Sequence, residues 1–456
     1  MPQSPSTEDR YGLSEQESRA LCMRVLNSSK AEHVRVQVQS GWRGFTRVAT
    51  NRITTSGGSE DVSVRIVSVF GKRLASIQTN SLDDASLEAA VRKSEELARV
   101  APENPEYMPE LGSQQYVPVS AYYDATGQMT PDARAQAAAY AIEKAQQSQT
   151  VAAGYLDVRA GTRAIATSND LFAYQQATGV SSTLTIRTPD GTSSGWAGDH
   201  ANNWANIENE RIAEDAVRKC NDWRGKTALD PGKYTIILEP TAMGMLMFRM
   251  SRVFDARRAD EGRSYFSKPD GNNKIGERIF SPRVTLRSGP AMEDAETAPF
   301  TNEGQPINSR DWVENGVLKN LSYSRFWAEK KGKKALPAPS NLAMIGGNDS
   351  LEDMIRSTQR GVLITRFWYI RGLNPRTISY TGLTRDGTFL IENGKISRPV
   401  NNFRFNQSLA ELLKNIEMIG PSVQVAASEN SSVSMPIIVP AVKVRDFTLA
   451  SVSDAI

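Results

Sequence analysis

YTIILEPTAMGMLMFRMSRVF, residues 234–254, reads as a buried strand running straight into an amphipathic helix. Met243, Leu246, Met247, Met250, Val253 and Phe254 recur at i, i+3, i+4, i+7, i+10 and i+11, which lays one continuous apolar face along the helix. Such a face predicts either a core helix or a subunit-interface helix, with Met243, Met247 and Met250 as the interface candidates. Methionine suits both settings, because it fills irregular gaps. Gly244 invites the close approach of another backbone. In many hydrolases a strand-to-helix junction carries the reacting groups, whereas this one offers methionines, a glycine and, just ahead of the helix, Glu239.

Downstream the text is that of hairpins. Asn315–Gly316, Asp386–Gly387 and Asn393–Gly394 are the residue pairs that tight turns prefer. Two short helices interrupt the strands, one opened by Ser350 with Asp353 three residues on, the other over SLAELLKNIEMI (408–419). Upstream, Ser14 and Glu17 form a capping box for a first helix whose apolar face holds Leu21, Val25 and Leu26. Val34, Val36 and Val38 alternate with Arg35 and Gln37, which marks a half-buried strand. A hairpin turning at Gly71–Lys72 and a helix to Val100 follow. A second hairpin turns at Asp190–Gly191 and precedes a helix beginning near Ile207. The tetrapeptide AVRK occurs in both helices, at 90–93 and 216–219, and predicts a β-β-α unit used twice. Between them Thr130 and Pro131 open a further helix. The expected fold class is α+β: an N-terminal α/β domain of repeated hairpin and helix units over residues 1–225, then a strand-rich domain with a few helices over residues 226–456.

Bulk properties narrow the function. The 456 residues allow more than one domain, and a net charge of +3 is too small to argue for nucleic acid or membrane. The run Lys330, Lys331, Lys333, Lys334 reads as a solvated helix end. Two cysteines, Cys22 and Cys220, cannot make a disulfide framework and suit a reducing compartment. The opening MPQSPSTEDRYG has neither a basic n-region nor an apolar h-region, so the expected location is the cytoplasm.

Catalytic signatures are sparse. The chain holds two histidines, His33 and His200, none after residue 200, and no cysteine after Cys220. A metal site would need both histidines plus carboxylates brought together by folding. A Cys220–His200 nucleophilic pair competes with the plainer reading of Cys220 as a small buried hydrophobe. No G-x-S-x-G lies at a strand-to-helix turn.

From Pro231 onward the chain resembles the TldD/TldE (PmbA) family of zinc peptidases, also labelled modulators of DNA gyrase. The resemblance is carried by PGKYTIILEPTA (231–242), GRSYF (262–266), IFSPRVTL (279–286), TNEGQPINSRDWVENGVLKN (301–320), PAPSNLAMIGGNDSLEDMI (337–355) and GTFLIENGKISRPV (387–400), in the same order. In active members, the resemblance implies, the helix after the strand at 234–238 carries H-E-x-x-x-H and a distant C-terminal cysteine completes the zinc site. Here both are missing, and a glutamate without a metal-bound water has nothing to activate. The resemblance therefore falls on the TldE-like side, and implies a chain with no cofactor of its own. Its zinc-bearing TldD-like partner would cut unfolded peptides. The alternative is a stand-alone, non-catalytic peptide-binding homodimer. The pair Arg385–Asp386 departs from the TldE pattern, which expects a small, flexible segment there.

The family is expected to hold peptide as an added strand, where main-chain hydrogen bonds give affinity without much sequence preference. GVLITRFWYIRGLNPRTISYTGLTRDG (361–387) suits such a groove, with Arg366, Trp368, Arg371 and Arg385 as candidate peptide-binding residues. The competing expectation is that Phe367 and Trp368 are core aromatics and the arginines pair with acids.

Overall fold

The computed structural model describes residues 12–427, 429 and 435–453. The N-terminal MPQSPSTEDRY, read above for targeting signals, lies outside the described residues.

The first half runs α1 (Glu15–Ser28), β1 (His33–Ala49), β2 (Arg52–Phe70), β3 (Arg73–Thr79), α2 (Asp84–Val100), α3 (Asp124–Gly127), α4 (Pro131–Gln147), β4 (Val151–Thr167), β5 (Phe172–Arg187), β6 (Ser194–Ala201) and α5 (Asn209–Asp222). Its sheet is six-stranded and antiparallel, in the order β3-β2-β1-β4-β5-β6. The capping box at Ser14 and the cap at Thr130 form as the sequence predicts. The repeat is larger than two strands and a helix: α1-β1-β2-β3-α2 is followed by α4-β4-β5-β6-α5, with β1 and β4 side by side at the centre. AVRK sits at the same place in both closing helices, because Ala90 and Ala216 pack against the sheet at those points.

Along β1 the even-numbered residues from Val34 to Val48 are buried except Trp42, which is half-buried, and the odd-numbered side chains Arg35, Gln37, Gln39, Arg43 and Arg47 lie on the opposite face. The buried face packs against α1 and α2 at one end and against α4 and α5 at the other. The other face is polar and turned partly toward the second half, where Gln37 donates to the Asn302 carbonyl.

The second half runs β7 (Gly232–Leu238), α6 (Pro240–Met250), α7 (Ala256–Asp260), β8 (Leu286–Ser288), β9 (Arg310–Glu314), β10 (Val317–Leu318), α8 (Arg325–Lys330), β11 (Leu342–Met344), α9 (Leu351–Arg356), β12 (Arg360–Asn374), β13 (Ser379–Glu392), β14 (Lys395–Pro399), β15 (Asn402–Ser408), α10 (Leu409–Lys414), β16 (Ile416–Val425) and β17 (Ile437–Ser453). β17 pairs with both β15 and β7, so β17-β15-β13-β12-β7 closes into a ring. Closure leaves those strands without a free edge. Phe367, Phe403, Phe405 and Phe447 fill it, with ring centroids 4.6 to 6.0 Å apart where they touch.

Two local expectations change. SLAELLKNIEMI is helical only to Lys414; Ile416 then pairs with Val444, because its side chain is buried against β17. Asp386–Gly387 is no hairpin turn. It lies inside β13 as a bulge, where the register passes from Ile364↔Thr388 to Arg366↔Arg385. Turn and bulge demand the same positive φ, here +57° and +135°, so the local text does not separate them. The lysine run at 330–334 is exposed.

Candidate functional site

The junction of β7 and α6 forms as the sequence predicts. β7 lies between β12 and β17, and the Glu239 amide donates to the Ile364 carbonyl at 3.1 Å. Met243, Met247 and Met250 are 0% exposed within the chain's own core, so they pack this helix and offer no side chain to a second subunit, which corrects the interface assignment. At Gly244 the close neighbours are side chains: a Cβ there would lie 2.4 Å from Val425 Cγ2. The Glu239 carboxylate takes a 2.6 Å bond from Lys219 of α5, which ties the two halves together.

This is the place where the family resemblance puts zinc, and the residues do not fit it. α6 contains no histidine, cysteine, aspartate or glutamate. His33 and His200 cannot join. The register neighbours of His200 run through Ser181 and Asp157 to Phe45, at the other end of β1 from His33, roughly 40 Å away at about 3.3 Å per residue. Among the described residues no three His, Cys, Asp or Glu side chains gather in a metal-holding group. Cys220 is buried near Ser193, at the far end of β6 from His200, and burial raises its thiol pKa; burial pushes Cys22 up to about 12. Neither thiol is poised as a nucleophile.

Two residues along β12 from Ile364 the character reverses. The bulge in β13 turns Asp386 inward, 1% exposed, where it accepts from Arg366 Nη1 at 2.8 Å and from Ser194 Oγ of β6 at 2.7 Å. Thr365 Oγ1 bonds the carbonyls of Asp386 and Gly387, and a Cβ at Gly387 would lie 2.8 Å from that oxygen, so glycine is needed. The Arg366 guanidinium stands 4.3 Å from the Trp196 ring and 5.3 Å from that of Trp368, and Arg385 stands 4.8 Å from Trp368 on its own account. Cations and indole faces thus alternate from the first sheet into the second.

This ladder borders a cleft of about 310 Å³ whose lining includes Arg47, Tyr155, Arg187, Trp196, Trp368 and Arg385. Of the residues proposed from sequence, Arg366, Trp368 and Arg385 are brought together here. Arg366 is 6% exposed and held by Asp386, so it is first a structural residue. Arg371 lies outside the lining and pairs at 3.0 Å with Glu429, which also accepts from Arg249 at 2.8 Å and from the Ile370 amide at 2.7 Å. Phe367 is a core aromatic. Ser194, Trp196, Tyr155, Arg47 and Arg187 were not anticipated. The visible trace of Trp196 is its place between glycines, since a Cβ at Gly195 would lie 2.2 Å from the Ala216 carbonyl. A larger cleft, about 560 Å³, lies near Arg35, Glu106, Glu110, Glu303 and Arg325. Its charges are matched within the chain, by Arg35–Glu110 at 3.0 Å, Arg257–Glu106 at 2.8 Å and Arg325–Glu303 at 3.7 Å, and it is the weaker candidate.

Comparison with known proteins agrees with this architecture. Residues 127–221 match the PmbA/TldA metallopeptidase central domain and residues 231–451 the corresponding C-terminal domain. A metalloprotease TldD homolog of Haemophilus influenzae is 24% identical over 258 residues, 52% of each chain. The chain spans about half or less of the length of the curated relatives it matches. In fold it is similar to TldE of Thermococcus kodakarensis, with a TM-score of 0.84 at 19% identity, covering 95% of this chain and 99% of that one. It is likewise similar to a protein of Thermotoga maritima described as a modulator of a DNA gyrase, with a TM-score of 0.83 at 20% identity, covering 95% of this chain and 100% of that one. The two domain matches take in well over half of the sequence, and with them the chain belongs to the PmbA/TldD family of metallopeptidases.

Proposed function

We propose that this chain is the zinc-free, peptide-holding subunit of a TldD/TldE-type peptidase that degrades or processes unfolded peptides. A histidine-bearing TldD-like partner would supply the metal. The observation that supports this most strongly is α6, which fills the expected zinc position with fully buried apolar side chains. Beside it, the cleft supplies aromatic faces and guanidinium groups, the residue types enriched where proteins grip other chains. Trp368 and Arg385 contact peptide, Arg366 holds the ladder in place through Asp386, and Arg371 anchors Glu429 at the cleft wall.

A partner has a natural place to attach. β3 covers β2 over Val64–Phe70, so residues 52–63 of β2 form a sheet edge with no outer strand among the described residues. Such an edge favours pairing with another chain. A second copy of this chain could use it too, which keeps the homodimeric peptide-binding protein as the second reading. Both cysteines are buried thiols, in keeping with a cytoplasmic setting.

The test is a peptidase assay on an unstructured peptide, with this chain alone, with a TldD-type subunit, and with chelator. Hydrolysis that needs both chains and stops with chelator is expected. Chelator-sensitive hydrolysis by this chain alone contradicts the proposal, and peptide binding with no association to any TldD-type subunit selects the homodimer.

A further inference from the structure

The charges around the cleft do not balance. Among the described residues its lining carries four arginines, Arg47, Arg187, Arg366 and Arg385, against two acids, Asp386 and Glu429. Asp386 is shared by Arg366, by Ser194 and, at 3.9 Å, by Arg385, and Glu429 is held by Arg249, Arg371 and the Ile370 amide, two of these being arginines from outside the lining. Positive charge is thus in excess.

Like charges are also crowded. Burial pulls the Arg385 pKa down; Asp386 offsets part of this, and the neighbouring guanidiniums of Arg187 and Arg366 add to it. A second, independent sign comes from hydrogen bonding. Arg366 is more than nine-tenths buried in the lining, yet its Nε–H has no partner among the described residues. A buried donor left without an acceptor costs about 1–3 kcal/mol, more when charged, so such a group is expected to meet an acceptor in the working state. The adjacent indoles of Trp196 and Trp368 lie against the guanidiniums and keep part of the wall apolar.

We infer that the cleft binds a carboxylate of the bound peptide, an inference that rests on the peptide-holding role proposed above. Guanidinium forks match a carboxylate in geometry as well as charge. At about 310 Å³ the cleft sits at the low end of the roughly 300–1,000 Å³ range of small-ligand sites, which suits a chain end or one acidic side chain better than a long segment. Two sources offer the same group: a free C-terminus, or an aspartate or glutamate side chain. Either makes this chain a selector of anionic peptides, a preference that main-chain strand pairing alone does not create.

The experiment is calorimetric titration of the full chain with four short peptides, in which the C-terminus is free or amidated and one central residue is Glu or Gln. Intrinsic fluorescence is followed in parallel, with Trp196 and Trp368 the two of the seven tryptophans that line the cleft. The amidated Gln peptide is expected to bind at least tenfold more weakly than the tightest of the other three, and which peptide is tightest identifies the source of the carboxylate. The advantage is expected to shrink as salt rises. The variant R47Q should cut it severalfold while leaving thermal stability and the affinity for the uncharged peptide unchanged, and R385Q should cut it severalfold as well while weakening both peptides through the contact it removes. Equal affinity for charged and uncharged peptides overturns the carboxylate inference and leaves peptide holding intact. So does an advantage that neither variant reduces, or displacement of the acidic peptide by an equal concentration of inorganic phosphate. Failure of every peptide to bind overturns both.

Discussion

The start of α6 and the bulge of β13 flank the same short piece of β12, separated by the two residues from Ile364 to Arg366, and they are chemical opposites. At the first, five side chains from Ala242 to Met250 are fully buried and the only acid, Glu239, is tied to a lysine. At the second, a buried carboxylate, four guanidiniums and two indoles border open space. The contrast teaches that the start of this helix is held by apolar packing. It also shows charge assembled where two sheets meet and solvent can enter. A buried ion pair gains little over a well-packed apolar pair, so retaining Arg366–Asp386 beside an open cleft points to a positioning role.

The comparison can be broken by substitutions on either side. The largest effect is expected for Arg366→Ala, which strands Asp386 without its main partner. A loss of about 3–5 kcal/mol in chemical denaturation is expected, and a loss below about 1 kcal/mol would show that the pair does not hold the ladder. The double variant Arg366→Met with Asp386→Leu should recover most of that loss and still lose acidic-peptide binding.

On the dry side, Met247→Ala is expected to cost about 2–5 kcal/mol through the cavity it leaves, with peptide affinity unchanged. Gly244→Ala should cost about 1–3 kcal/mol by overpacking against Val425. A Met247→Ala protein of normal stability that no longer associates with a partner would return α6 to the interface.

The next effect concerns β6, whose near end carries Trp196. At its far end burial holds His200 down at about 4 and raises Asp199 to about 6. His200 therefore contributes stability above its ordinary pKa of about 6.5, lost as the pH falls toward 4. The Asp199 contribution has the opposite sign, being present near pH 4 and lost as the pH rises through 6. The two oppose each other in the native chain. His200→Gln should make stability fall with rising pH between 4 and 6. Asp199→Asn should make it fall with decreasing pH over the same window. Each change is expected on the order of 2 kcal/mol in denaturation midpoints read across pH. The smallest effect belongs to Arg371→Ala: the residue is exposed and Glu429 keeps Arg249, so a change within about 1 kcal/mol is expected, with acidic-peptide affinity nearly intact.

Much of the fold was legible because its signals are local. The caps at Ser14, Thr130 and Ser350, the alternation at Val34–Val38 and the helical face of Met243–Met250 each state their element within a few residues. What failed depended on partners far away in the chain. Asp386–Gly387 carries the backbone requirement of a turn and becomes a bulge because Thr365 lies opposite it. Ile416 leaves its helical text because Val444 offers a strand. The candidate site was half legible. Arg366, Trp368 and Arg385 share a strand pair and stood out together, whereas Ser194 and Trp196 reach them across nearly two hundred residues, and no spacing rule connects them.

Metal analysis of the purified chain, alone and after incubation with excess zinc and desalting, tests the central claim most directly. Far less than one zinc per chain is expected in both cases, with the melting temperature indifferent to chelator. One tightly held zinc per chain, stabilising the protein and removed by chelator, would contradict the account.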